Sequence, residues 1–507
     1  MGWNNWYPYN CVYTAQTILD NANLLVTTGL AGLGYNTVNI ADCWMLKTRD
    51  AQGNLQVDPV RFPRGMKPVA DTIHQLGLKF GIYEDAGYET CSTYAGSGQP
   101  NGGGNDHFVE DTQLFTSWGM DSLYLDGCNV YVFTPSGFQT AYAAESAALK
   151  NAGRPIVFSE LAPAAFDYSP EWYDVLTWVR DYGQLWRTGD DLGNDVNHPG
   201  ASLFGCVLWN YAYNLPLGRF QRPGNWNDPD FIIGGDGWMS LAETRSQMAL
   251  WSMMSSPLIL SVDVSQLSQD ELEILGNQQV IAIDQDPLGQ MANLVSRNPS
   301  VDILFKPLSG EEYAVAVLNR SDSSAQVQVL PAELGFTVGP NCSMDAQNLW
   351  SGELQSPLTA LQVEVASHDT EIWRVQFSAD CGTPTRTGAI IMTLNQARGT
   401  IDGYTRCLAS SGAVEACSGI QEEAWTVTAR GALMAAEGCL TDVGGKAVVQ
   451  ICTDQDAQHW NYSLVGNLVN QIDQECLTAD STDGVAQSLS IQSCGHNLPN
   501  QIWSLPI

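Results

Sequence analysis

Six carboxylates stand just after short apolar runs in the first half of the chain: Asp42, Asp85, Asp126, Glu160, Asp191 and Asp230. One acid in such a place is commonly a loop cap. Six in succession, converging on one mouth, have a different chemical capacity. Paired carboxylates can divide the cleavage of an acetal between them. One attacks or stabilises the anomeric carbon while the other protonates the departing oxygen. Other chemistries leave no trace. There is no HExxH pair, no GxGxxG and no Walker loop. The six histidines suggest neither a zinc triad nor a Ser-His-Asp hydrolase. Carboxylates, aromatic residues and an arginine point to glycoside hydrolysis, with no metal or cofactor required.

The segments that must position these acids alternate between two kinds. Tyr35–Ile40 reads as a strand, Pro68–Leu76 as an amphipathic helix, and Lys79–Tyr83 as the next strand. Ser122–Leu125, Pro155–Phe158 and Pro257–Leu260 continue the series. Strands separated by helices imply βαβ units and a parallel sheet. Over residues 1–290 the pattern suits a (β/α)8 TIM barrel, whose active site lies at the C-terminal ends of the strands.

From residue 291 to 380 the helical runs cease. Asp302–Phe305, Tyr313–Leu318 and Ala325–Leu330 are strand-like and split by turns such as Leu308-Ser309-Gly310, as in an antiparallel β-sandwich. A linker at Cys381–Thr385 opens the last segment, 381–507, where an internal repeat emerges. Cys407-Leu408, Cys439-Leu440 and Cys476-Leu477 each begin a unit, and each unit has a second cysteine, Cys417, Cys452 or Cys494. Each closes on Glu423-Ala424-Trp425, Gln458-His459-Trp460 or Gln501-Ile502-Trp503. Three such units predict a three-fold β architecture in which every unit buries one tryptophan. The repeat resembles the ricin-type β-trefoil, a family of sugar-binding modules. Asp442 and Asp480 stand near the place where that family holds a sugar hydroxyl pair; the first repeat has Ala409-Ser410 there.

Composition narrows the partners. The 507 residues include 22 basic and 55 acidic side chains, a formal charge of −33, which excludes most nucleic-acid and anionic-membrane surfaces. With 44% hydrophobic and only 15% charged residues, the chain can bury large cores. The 16 Trp and 18 Tyr can serve as sugar-stacking surfaces or as core. Locally paired cysteines and three N-x-S/T sequons, at Asn319, Asn341 and Asn461, indicate an oxidising, extracellular setting. No signal peptide precedes Gly2-Trp3-Asn4-Asn5-Trp6. The reading is a leader already removed or a late start, with the first barrel strand beginning upstream of Trp3.

Six ordered motifs carry a family resemblance: Met1-Gly2-Trp3-Asn4-Asn5-Trp6, Ala41-Asp42-Cys43-Trp44, Asp58-Pro59-Val60-Arg61-Phe62-Pro63, Gly81-Ile82-Tyr83-Glu84-Asp85, Leu125-Asp126-Gly127-Cys128 and Trp226-Asn227-Asp228-Pro229-Asp230. They resemble the α-galactosidase family of retaining glycoside hydrolases (family 27), which includes α-N-acetylgalactosaminidases. Several fungal members carry a C-terminal ricin-type module. The resemblance implies Asp126 as nucleophile and Asp191, four residues after Arg187, as acid/base, with Asp190 its neighbouring competitor. The two carboxyls would lie roughly 5–5.5 Å apart, and Asp191 would hold its proton where Asp126 has lost its own. Trp6 would stack under the sugar, Asp42 would bind a ring hydroxyl, and Tyr83, Tyr124 and Asp230 would line the pocket. Glu160 would hold the 2-hydroxyl and Arg187 the 2- or 3-hydroxyl. The resemblance also implies disulfides Cys11–Cys43 and Cys91–Cys128. Cys342–Cys381 would be a third, and with three trefoil pairs Cys206 is left over.

Two positions depart from the family. α-Galactosidases usually have two successive Asp before Cys-Trp, and here the first is Ala41; they usually have Lys two residues before the nucleophile, and here it is Tyr124. Both family residues reach the galactose 4- and 6-hydroxyls. The expectation is a secreted, retaining exo-glycosidase that releases terminal α-D-galactose from oligo- or polysaccharide. A changed sugar, β-L-arabinopyranoside or an isomalto-dextran α-glucoside, is the alternative within the family. A carbohydrate-binding protein with an inactive barrel is the alternative outside it. Oligomeric state is not legible.

Overall fold

The computed structural model describes residues 1–99, 106–167, 169–193, 202–393, 405–419, 423–480 and 488–506. Eight short parallel strands form the first layer: β1 (Gly2–Asn4), β2 (Thr37–Ile40), β3 (Lys79–Asp85), β4 (Ser122–Asp126), β5 (Val157–Glu160), β6 (Leu185–Arg187), β7 (Trp226–Asp228) and β8 (Ile259–Leu260). Neighbours in sequence are neighbours in the sheet, and β1 pairs with both β2 and β8. The ring closes beyond β7, where the Ile232 N–H donates to the Ile259 carbonyl and the Ser261 N–H to the Ile232 carbonyl, both at 2.8 Å. Helices return the chain on the outside: α1 (Trp6–Tyr9), α2 (Ala15–Thr27), α3 (Lys67–Gln75), α4 (Phe108–Trp118), α5 (Pro135–Lys150), α6 (Glu171–Trp178), α7 (Leu203–Asn214), α8 (Leu241–Met253), α9 (Gln269–Leu275) and α10 (Gln278–Asp284). Polar caps start several of them. Thr14 and Ser240 each accept the N–H three residues on and close capping boxes. None of the described helices is long and apolar enough to cross a membrane.

The barrel interior is packed by small residues where space requires it. Gly81 faces Asn39 and Ser122, whose side chains are hydrogen-bonded to one another at 2.9 Å. A Cβ at Gly81 would lie 2.0 Å from Asn39 Oδ1, so only glycine lets these side chains meet.

The second layer is a six-stranded antiparallel sheet containing β9 (Asn293–Arg297), β10 (Val301–Leu308) and β11 (Glu312–Asn319), faced by a two-stranded ribbon. Alternation along β10 explains how it serves two cores. Ile303 and Phe305 pack into the sandwich with Val317 and Val363, while Leu304 joins the barrel core. Lys306, fully buried, reaches into the barrel and donates to the carbonyls of Ser252 and Ile283 and to Ser255 Oγ. Asn319 is also buried, and its Nδ2 donates to the carbonyls of Ser323 and Ala366. It is therefore no glycan acceptor, whereas Asn341 and Asn461 are exposed.

The C-terminal β-rich region makes its repeat visible atom by atom. Trp425, Trp460 and Trp503 are buried, and each indole N–H donates to the carbonyl of its own unit's Cys-Leu leucine: Leu408, Leu440 and Leu477. Gln458 and Gln501 add a second device by donating to buried Thr441 and Thr478, the residues following Cys-Leu. The disulfides are Cys11–Cys43, Cys91–Cys128, Cys342–Cys381, Cys407–Cys417, Cys439–Cys452 and Cys476–Cys494. Cys206 is buried on α7.

Candidate active site

A cavity opens at the C-terminal end of the barrel strands. Asp126 and Tyr124 enter it from β4, Tyr83 from β3, and Arg187 from β6; Asp191 and Asp230 follow β6 and β7. Trp6, Asp42 and Ala41 complete the wall on the β1–β2 side. The barrel register makes this convergence unavoidable. Asp85 pairs with Asp126 across β3–β4, and Arg187 pairs with Asp228 across β6–β7.

Asp126 is gripped from both sides. Tyr83 Oη donates to its Oδ2 at 2.6 Å and the Gly127 N–H to its Oδ1 at 2.9 Å. Cys91 Sγ, tied to Cys128 in the loop after β4, lies 3.4 Å from Oδ2. Burial pushes the Asp126 carboxyl up to about 6; the Tyr83 hydrogen bond and the Arg187 charge oppose that rise. Asp85 does not line the cavity. It is buried below, where its carboxylate accepts the N–H groups of Gly87 and Cys128 and so braces the loop beside Asp126.

Arg187 organises the opposite side. Its Nη2 donates to Asp191 Oδ1 at 3.0 Å and to the Asp190 carbonyl at 3.0 Å, while Nη1 lies 3.3 Å from Asp230 Oδ1. Asp191 is half exposed (50%), whereas Arg187 and Asp230 are buried, so Asp191 is the member of this group that reaches the mouth. Burial raises Asp230 to about 6 against the Arg187 charge, and Asp228 to about 7. Asp42 is held by the N–H groups of Cys43 (2.6 Å) and Ser92 (3.1 Å), and burial raises its carboxyl. Tyr124 stacks on Tyr83 with ring centroids 5.8 Å apart.

Glu160 is placed elsewhere. The strand expected at Pro155–Phe158 runs instead from Val157 to Glu160, so Glu160 is its last residue and not the start of a loop. Ser159 pairs with Tyr124 on the neighbouring strand. Phe158, two residues before Glu160 and on the same strand face, packs edge-on against Tyr142 of α5. Glu160 is fully buried there against Gly183, with no hydrogen-bond partner for either carboxyl oxygen among the described residues. Burial holds its carboxyl well above the usual range. The structure thus does not bring Glu160 to the cavity wall, where the resemblance implied a contact with the sugar 2-hydroxyl.

Asn4, Tyr7 and Phe231 line the cavity without having been singled out in the sequence. Tyr7 sits in a single turn of helix after β1, and Phe231 follows Asp230, whose φ of +82° turns the backbone sharply. In the trefoil, Asp442 accepts the Gly445 N–H at 2.9 Å and Asp480 is hydrogen-bonded to Ser488. Asp442 ends the strand Gly438–Asp442, and Asp480 directly follows the strand Cys476–Ala479.

Residues 4–286 match the family described as alpha galactosidase A, more than half of the chain. The chain belongs to that family. Residues 298–375 match its C-terminal β-sandwich domain and 397–503 the ricin-type β-trefoil lectin domain. A probable alpha-galactosidase A of Aspergillus clavatus is 37% identical over 522 residues, covering all of this chain and 93% of that protein. The alpha-galactosidase A of Aspergillus niger is 35% identical over 519 residues, covering all of this chain and 91% of that protein. The crystal structure of alpha-galactosidase I from Mortierella vinacea superposes with a TM-score of 0.67 at 29% identity, covering 74% of this chain and 96% of that one. This family member is thus a glycosidase by fold and descent, built as a TIM barrel, an antiparallel sandwich and a trefoil.

Proposed function

We propose that this α-galactosidase-family chain is a secreted, retaining exo-glycosidase that releases terminal α-D-galactose from oligo- or polysaccharide, with Asp126 as nucleophile and Asp191 as acid/base. The observation that carries the reading is the cavity itself. It places a buried, doubly hydrogen-bonded carboxylate opposite a half-exposed one held by an arginine. In the first step Asp126 attacks the anomeric carbon while Asp191 passes its proton to the leaving glycosidic oxygen. In the second, Asp191 takes a proton from water, which cleaves the glycosyl–aspartate ester with net retention. Trp6 offers the stacking face, and Asp42 and Arg187 face the ring hydroxyls.

A second sugar is favoured by one specific observation. Ala41 and Tyr124 both line the cavity at the places where the family usually offers Asp and Lys. A β-L-arabinopyranoside is galactose without its hydroxymethyl group, so it makes no demand on a 6-hydroxyl contact. Turnover of nitrophenyl α-galactoside, β-L-arabinopyranoside and α-glucoside, with the anomer of the first product followed by NMR, tests the proposal. No turnover of any of the three, with sugar binding intact, overturns it in favour of a binding protein with an inactive barrel. The trefoil is proposed to hold the carbohydrate to which the substrate end belongs. Six disulfides suit an extracellular setting.

A further inference from the structure

The first helical turn carries a side chain that neither the motifs nor the family roles assign. Tyr7 is anchored by its backbone N–H on Ser261 Oγ at 3.1 Å, just past β8, and its ring meets Phe231 edge-on at 6.1 Å. Its hydroxyl donates to Asp230 Oδ2 at 2.6 Å. That same oxygen accepts the N–H of Leu192, the residue after Asp191, at 2.9 Å. The other oxygen, Oδ1, lies 3.3 Å from Arg187 Nη1, and Nη2 of the same guanidinium holds Asp191 at 3.0 Å. Asp230 itself is fixed. Its N–H donates to Asp228 Oδ1, and its carbonyl accepts from the Trp251 indole at 2.8 Å.

We propose that Tyr7 is a positioning residue for the acid/base, holding Asp230 as the carboxylate that neutralises Arg187 and tethers the Asp191 loop through Leu192. The inference rests on the reading of Asp191 as the acid/base. The logic is competition for one charge. Arg187 stands between two carboxylates, and each stabilises it at the expense of the other. While Asp230 is ionised, much of the arginine's charge is matched inside the barrel, and Nη2 holds Asp191 at the mouth. The phenol favours this state, because a hydrogen bond donated to a carboxylate stabilises the ionised form. Burial holds the Tyr7 phenol well above its ordinary range, so it remains a donor throughout. The charged and titratable groups facing Asp230 are Tyr7 from α1, Tyr124 from β4, Arg187 from β6, Asp191 from the following loop and Asp228 from the end of β7. Those facing Asp191 are Arg187, Asp230, Asp126, Tyr124 and Tyr7 itself.

Tyr7→Phe removes one hydroxyl and keeps the ring against Phe231. Asp230 then protonates more readily, and Arg187 turns its charge on Asp191. On whichever glycone the wild type cleaves, the alkaline limb of kcat/KM is expected to move down by about one pH unit. Alkyl glycosides, whose leaving groups need a proton, should lose about 10-fold. Dinitrophenyl glycosides, which need none, should lose at most a few fold. Equal losses on both substrates with an unmoved alkaline limb overturn the proposal. Asp191→Ala, measured in parallel, separates it from the reading beneath. If that variant shows the leaving-group dependence and Tyr7→Phe does not, only the Tyr7 inference fails. If Asp191→Ala loses both substrates equally, the acid/base assignment fails and takes the inference with it.

Discussion

Tyr83 Oη and Asp126 Oδ2 are 2.6 Å apart, and this hydrogen bond is the strongest local force favouring an ionised Asp126 in a site whose burial disfavours it. A nucleophilic carboxylate works only when ionised, so kcat/KM should rise with pH through a limb near 6. Tyr83→Phe withdraws the donor and should move that acidic limb upward by about one pH unit, with roughly a 10-fold loss at the optimum. A pH–rate profile with an unmoved acidic limb would show that Tyr83 does not set the charge of Asp126.

Asp126→Ala should abolish turnover, with a loss of about 10³-fold or more, while binding to immobilised polysaccharide persists through the trefoil. Retained turnover would show that the nucleophile lies elsewhere. Asp190 and Asp191 are adjacent, but only Asp191 lines the cavity, so Asp190→Ala should cost far less than Asp191→Ala on alkyl glycosides.

The cavity acids that were legible in the sequence share one property: each ends or follows a strand of the ring. Asp126 closes β4, and Asp42 and Asp230 lie two residues beyond β2 and β7. Glu160 shows where this reading fails. A two-residue error in the strand bounds turned a supposed loop acid into the last residue of β5, where alternation sends it to the helical layer. The three-residue strands β1, β6 and β7 are too short to give a periodic signal. Tyr7 and Phe231 were hidden for another reason. One reaches the cavity from a four-residue helix and the other from beyond a left-handed residue, and no spacing rule links them. The trefoil was plain because its contacts recur in sequence as well as in space. Thr441 with Gln458 and Thr478 with Gln501 make the same bond in successive units.

Restoring the family charges should redirect the sugar. Ala41 and Tyr124 line the same cavity, and a charge-assisted hydrogen bond contributes about 1.5–3 kcal/mol. Ala41→Asp with Tyr124→Lys should therefore raise the α-galactoside preference over β-L-arabinopyranoside by roughly 100-fold in kcat/KM. An unchanged ratio would show that these positions do not read the 4- and 6-hydroxyls.

Stability should fall as pH rises through the neutral range. Glu145 is buried, donated to by Thr112 at 2.6 Å, and burial raises its carboxyl from 4.5 to about 8. Between those values the folded state holds one more proton than the unfolded chain. The contribution to stability is fully present below about 4.5 and declines toward about 8, at up to roughly 1.4 kcal/mol per pH unit. Glu145→Gln stays neutral throughout. Its urea midpoint should fall less steeply between pH 5 and 8 than that of the wild type, and parallel slopes would refute the assignment.

Arg219 joins the barrel to the trefoil. Its guanidinium donates to the carbonyls of Leu464 at 2.8 Å and Val465 at 2.6 Å, and to Pro216 on its own side, while standing over the Tyr462 ring at 5.8 Å. Ser504 Oγ reaches the same Pro216 carbonyl, and His496 pairs with Asp174 of α6 at 2.8 Å. Two trefoil carbonyls are thus held by one barrel cation. Arg219 lies outside the catalytic cavity. Arg219→Ala should leave kcat/KM on a small aryl glycoside within about twofold while loosening the joint, since each hydrogen bond lost contributes roughly 0.5–1.5 kcal/mol. Limited proteolysis between the sandwich and trefoil should then quicken, and turnover of immobilised polysaccharide should fall more than turnover of the soluble substrate. Equal changes on both substrates in the variant would show that this joint plays no part in delivering the chain end to Asp126.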